Sequence, residues 1–148
     1  MTNHAGLSLK SLIKADRKAM DISANDTLRN INGDESAIEN VSYDTYDVVM
    51  VKIQHSGSKN ETIVTGDTRV LVTKSGDDDG DVEWIGARLL SPFHRIAEPK
   101  GNDVNSRLDV IEHDLIDVRD IDDCNDIMLF TVDGSNRILV NSMVIMLG

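Results

Sequence analysis

Residues 128–148 read MLFTVDGSNRILVNSMVIMLG, and their patterning sets the fold class. Phe130-Thr131-Val132 and Ile138-Leu139-Val140 are short β-branched and aromatic runs, joined by Asp133-Gly134-Ser135-Asn136. Gly accepts positive φ without a Cβ clash, so Asp-Gly between such runs predicts a hairpin. A third apolar run, Met143 to Leu147, closes the chain. An exposed apolar strand invites edge-to-edge pairing, so this run is expected to be buried.

Upstream, the same punctuation recurs. Apolar runs at 27–31, 46–54, 61–64, 69–73, 82–90, 93–97 and 104–118 alternate with turns rich in Gly, Asp and Asn. Residues 36–41 suit a short helical or extended piece. Strands at this spacing predict an all-β fold with a compact, partly closed sheet. The exception is residues 8–20, SLKSLIKADRKAM. Leu9, Leu12, Ile13 and Met20 recur at roughly helical spacing, and Ser8 can cap the start, which predicts a short N-terminal helix. The chain thus divides into an arm, residues 1–20, and a β domain, residues 21–148.

Charge follows the same division. The chain of 148 residues carries 26 acidic and 15 basic side chains, net −11. Residues 1–20 sum to +3 and the remainder to −14. An acidic body disfavours a nucleic-acid partner, because phosphate contacts need Lys and Arg. No apolar run approaches a membrane span, and the start Met1-Thr-Asn-His lacks a signal-peptide pattern. The lone Cys124 precludes an internal disulfide and fits a reducing compartment, so the cytoplasm or a virion is the expected setting. Lys10, Lys14, Arg17 and Lys18 occupy the other faces of the predicted helix. They suit either a solvated face or a docking arm for an acidic protein surface or a second copy.

Thr65-Gly66-Asp67-Thr68, the segment from Trp84 to Leu90, and Thr131 to Ile145 together resemble the Hint domain, the hedgehog/intein self-splicing fold. That family ends in a Thr-Val-x-Gly turn, an apolar strand, Asn-Gly, further apolar residues, then His-Asn and a nucleophile. Thr131-Val132-Asp133-Gly134, Ile138-Leu139-Val140-Asn141-Ser142 and Met143-Val144-Ile145 follow that frame. Met146 stands where the family has His, Leu147 where it has Asn, and Gly148 where the nucleophile would follow. The family also carries a Thr-x-x-His corner before an apolar strand. Thr65-Gly66-Asp67-Thr68, then Arg69-Val70-Leu71-Val72, fits the spacing with Thr68 in the His position. A hydroxyl cannot serve as general acid or base near neutral pH, so only Thr65 matches a functional position. Trp84, Ala87 and Leu90 match the Trp-x-x-Ala-x-x-Leu segment that follows, and Trp84 is expected to anchor the core. Asn25-Asp26-Thr27-Leu28 and Asn32-Gly33 resemble the start of the family's domain. No Cys lies there, and the nucleophile position falls on Ala19, Ile22 or Ser23 according to register. The alternative fold is an unrelated small β-barrel or sandwich.

Other chemistry is weakly signalled. Asp77, Asp79 and Asp81 sit in an acidic loop that could attract a cation, but Gly80 falls in the wrong place for an EF-hand and a solvated turn fits better. His4, His55, His94 and His113 have no metal-ligand spacing, and neither a Gly-x-Ser-x-Gly elbow nor a phosphate loop is present, so no cofactor is expected. The resemblance, with its reactive positions replaced, implies a non-catalytic Hint-like scaffold used as a structural, assembly or binding module; a tailed-phage virion is one setting by analogy. The rival readings are a residual self-cleaving domain using Ser23, which would need a base and an oxyanion hole beside it, and a regulatory or toxin-accessory domain acting alone.

Overall fold

The computed structural model describes residues 7–8, 12–14, 17–18, 26–32, 34–45, 49–74, 82–101, 104, 106–121, 126–132 and 137–146. In chain order the strands are β1 (Leu7–Ser8), β2 (Leu12–Lys14), β3 (Arg17–Lys18), β4 (Thr27–Arg29), β5 (Glu35–Thr45), β6 (Met50–His55) and β7 (Thr62–Thr65). They continue with β8 (Arg69–Lys74), β9 (Glu83–Gly86), β10 (His94–Pro99), β11 (Val110–Ile121), β12 (Asp126–Val132), β13 (Arg137–Val140) and β14 (Met143–Met146). Short 3-10 turns at Ala87–Leu89 and Arg107–Asp109 are the helical elements among the described residues. The all-β expectation holds.

One sheet carries most of the chain, in the order β13-β14-β8-β10-β11-β6-β7-β1-β12-β5-β4, with β9 also on β8. Its ends meet: Asn30, just after β4, bridges to Ile138 of β13, and the Ile31 N–H donates to the Arg137 carbonyl at 3.1 Å. The sheet is therefore a nearly closed barrel, which removes most free edges. Apolar side chains from nearly every long strand fill it. Leu28, Ile38, Val51, Ile53, Val70 and Val72 form one cluster with Ile96, Ile138, Val140, Met143 and Ile145. A second cluster gathers Leu71, Ala97, Val110 and Val144, with Trp84 packed against it. Trp84 is half-buried, and the Arg137 guanidinium lies 5.4 Å from its ring centroid. It is a flank of the core, where a central anchor was expected.

Two local expectations change. The segment expected as a helix over 8–20 is extended in its described residues: β2 pairs antiparallel with β3, and β1 pairs with both β7 and β12. Sheet pairing overrides the helical propensity of its Lys, Leu and Ala residues. The runs around Phe130 and Ile138 are both strands, but not partners. β12 pairs with β5 and β1, whereas β13 pairs with β14. The two-residue hairpin of this region is instead Asn141-Ser142, with φ of 50° and 61°. Positive φ at both central residues matches the right-handed twist of the strands, and Asn tolerates it better than most residues. The Asp133-Gly134 turn lies outside the described residues.

Candidate functional site

The Thr65–Thr68 corner joins β7 to β8 and is closed by backbone bonds. The Thr68 N–H donates to the Thr65 carbonyl at 3.0 Å, making a tight turn. The Gly66 N–H donates to the Val49 carbonyl at 2.7 Å, and the Gly66 carbonyl accepts from the Arg88 N–H at 3.1 Å. A Cβ on Gly66 would lie 3.2 Å from the Arg88 Cβ and 3.3 Å from the Val49 oxygen, so the approach leaves little room for a side chain. The Ala87 N–H donates to the Thr68 carbonyl at 2.8 Å. The 3-10 turn, buried at Ala87, thereby buttresses the corner.

Thr65 and Thr68 are both fully buried, and their hydroxyl oxygens are 2.9 Å apart. A buried hydroxyl needs a partner, and each supplies one for the other. The C-terminal strand comes to the same end of the barrel. Met146 of β14 is the register partner of Arg69, the residue after Thr68. The fold thus brings together Thr68 and Met146, two positions where the Hint pattern has histidines. Leu147, Ser23, Lys10, Asp77, Asp79 and Asp81 lie outside the described residues. Lys14, Arg17 and Lys18 fall on β2 and β3, which are strands and not the expected helix.

The described histidines are elsewhere. β6 runs from Met50, paired with Thr65, to His55 at its far end. β8 runs from Arg69 to Lys74, and His94 pairs with Lys74. His113 stacks on His55, with ring centroids 5.5 Å apart. All three therefore lie toward the opposite end from the threonine corner. Among the described residues, no group of three His, Cys, Asp or Glu side chains is arranged to hold a metal ion.

That opposite end contains a polar network that local sequence patterns barely signal. His55 is fully buried. Its Nε2 lies 2.8 Å from the Asn141 carbonyl, and its Nδ1 accepts from the Gly57 N–H at 3.1 Å. A carbonyl only accepts, so Nε2 carries the proton and the ring is neutral. Burial pushes the His55 pKa down, and nearby His113 adds to this, against opposing effects of the Asn141 hydrogen bond and Glu98. The Asn141 side chain donates to the Thr62 hydroxyl at 2.8 Å and accepts from Asn60 Nδ2 at 3.2 Å. His113 Nε2 meets Glu98 Oε1 at 2.8 Å. The one signal of it in the sequence is Asn141-Ser142, standing at the Asn-Gly position of the Hint frame.

No family model matches the sequence, and no curated protein matches it. Solved structures do. A DnaB intein from Synechocystis sp. PCC 6803 is 15% identical with a TM-score of 0.68, covering 97% of this chain and 99% of that one. A variant of the Ssp DnaB mini-intein is 15% identical with a TM-score of 0.71, over 99% of this chain and 96% of that one. The MchDnaB-1 intein is 11% identical with a TM-score of 0.60, over 96% and 99% respectively. Identity this low speaks to architecture alone, and the near-complete coverage on both sides makes that architecture specific. The chain has an intein-like Hint fold.

Proposed function

We propose that the chain is a Hint scaffold that performs no splicing and serves as a structural or assembly module. One observation carries this reading. The corner where a Hint domain places its activating imidazole holds a buried hydroxyl pair, Thr65 and Thr68 at 2.9 Å. Neither hydroxyl exchanges protons with a scissile amide near neutral pH. Met146, beside that corner in register, is equally unable to do so. Leu147 has no side-chain amide and so cannot cyclise as Asn does.

The partner is another protein, or a second copy, engaged by the basic N-terminal segment. Its Lys10, Lys14, Arg17 and Lys18 oppose a body of net charge −14. A tailed-phage particle is a setting in which a small acidic domain with a basic arm would dock to neighbouring subunits. Native mass measured across a salt series tests this. The wild type is expected to form a defined oligomer, or to co-purify with a larger particle, and to fall to 16.3 kDa when the four basic residues are changed to Glu. A wild type that stays monomeric at low salt and binds no larger particle would refute the docking role. It would favour a domain that acts alone.

A further inference from the structure

The network at the His55 end joins the C-terminal hairpin to the barrel wall. β14 pairs with β8 at Ile145 and Met146, and β13 is bridged at Ile138 to Asn30. Their turn is held by side chains. The Asn141 carbonyl accepts from His55, while the Asn141 amide group engages Thr62 and Asn60. The neutral His55 ring suits this place because both its nitrogens are matched, one to an acceptor and one to a donor. A proton added at Nδ1 would face the Gly57 N–H, a donor with nothing to offer it.

We propose that His55 is an acid-labile latch that fixes the turn of the C-terminal hairpin. The groups acting on His55 come from several elements. β11 presents His113, stacked on the ring, and β10 presents Glu98 behind it. β7 and the hairpin turn present the uncharged Thr62 and Asn141, and the intervening loop presents Asn60, flanked by Lys59 and Glu61. His113 is itself fixed: a Cβ on Gly57 would sit 2.5 Å from its ring, so the stacked position depends on that glycine. A positive charge on the fully buried His55 ring is unfavourable, so acid is accommodated by opening the turn. The C-terminal strand is thereby coupled to pH, and its far end adjoins the Thr65–Thr68 corner.

Amide hydrogen exchange of the full chain between pH 7.5 and pH 5, corrected for intrinsic rates, tests this. Protection of β13 and β14 is expected to fall below about pH 6.5, by up to tenfold per pH unit, the limit for uptake of a single proton. The paired amides of β5 and β12 should keep their protection. His55→Gln places a donor near the Asn141 carbonyl and cannot take up the proton, so its hairpin should stay protected at pH 5. His113→Gln removes the neighbouring imidazole and should shrink the loss. Unchanged hairpin protection in the wild type would overturn the proposal, even if the His55 variant does not fold. So would an equal loss throughout the barrel, or the same hairpin loss in His55→Gln.

Discussion

Replacing Asn141 separates two physical roles of one residue. Its φ of 50° favours Gly or Asn, and its side chain makes two hydrogen bonds, to Thr62 at 2.8 Å and from Asn60 at 3.2 Å. Asn141→Gly keeps the backbone conformation and removes both bonds. Each is worth about 0.5–1.5 kcal/mol net, and the fully buried Thr62 hydroxyl loses a partner. The expected loss is roughly 2–3 kcal/mol. Asn141→Ala removes the same bonds and also places a Cβ at positive φ, costing about 1–2 kcal/mol more. Urea unfolding should show both midpoints lowered with the slope unchanged, and Ala below Gly. In a domain of this size that loss corresponds to roughly 4–12 °C in Tm for Gly, and more for Ala. An Ala variant as stable as the Gly variant would refute the backbone argument. A Gly variant within about 0.5 kcal/mol of wild type would refute the side-chain clamp.

Other perturbations follow from the same geometry. Ile138→Ala empties a fully buried site at the seam where β13 meets β4, and should cost about 2–5 kcal/mol in chemical denaturation; a loss below 1 kcal/mol would show that the seam is not packed. Gly57→Ala drives a Cβ into the His113 ring, so a loss of about 1–3 kcal/mol is expected, with the His113 ring resonances displaced by NMR; unchanged resonances would contradict the stacking. Burial raises the Glu112 carboxyl pKa, but hydrogen bonds from Thr73 and Arg107 and the nearby charge of Arg95 outweigh it, so the group titrates below the ordinary carboxylate range. Its stabilisation is therefore present above that range and lost as pH falls through the depressed value. Glu112→Gln should cost about 1 kcal/mol at pH 7, partial exposure to water limiting the effect, and nothing in strong acid. A cost independent of pH would exclude the ionised carboxylate as its source.

How much of this was legible depended on the range of the interaction. β6, β8 and β14 were readable because each is an apolar run bounded by polar turn residues. The Thr65–Thr68 corner was readable because its residues are near neighbours in sequence. β2 and β3 were not: Leu12, Ile13, Lys14 and Arg17 suit a helix locally, and the extended form follows from pairing that a helical pattern does not encode. The Asp133-Gly134 signal pointed to a hairpin, yet β12 takes β5 and β1 as partners, a choice made by barrel closure and not by the turn. The His55–Asn141 contact spans 86 residues and exists only because the strands place His55 beside the β13–β14 turn. Nothing in either local sequence specifies the other.

The proposed absence of splicing chemistry is tested most directly by intact mass after long incubation of the full chain at neutral pH. The scaffold account predicts a single species that remains at 16.3 kDa. Loss of the residues preceding Ser23, abolished by Ser23→Ala, would contradict it and identify a self-cleaving Hint domain.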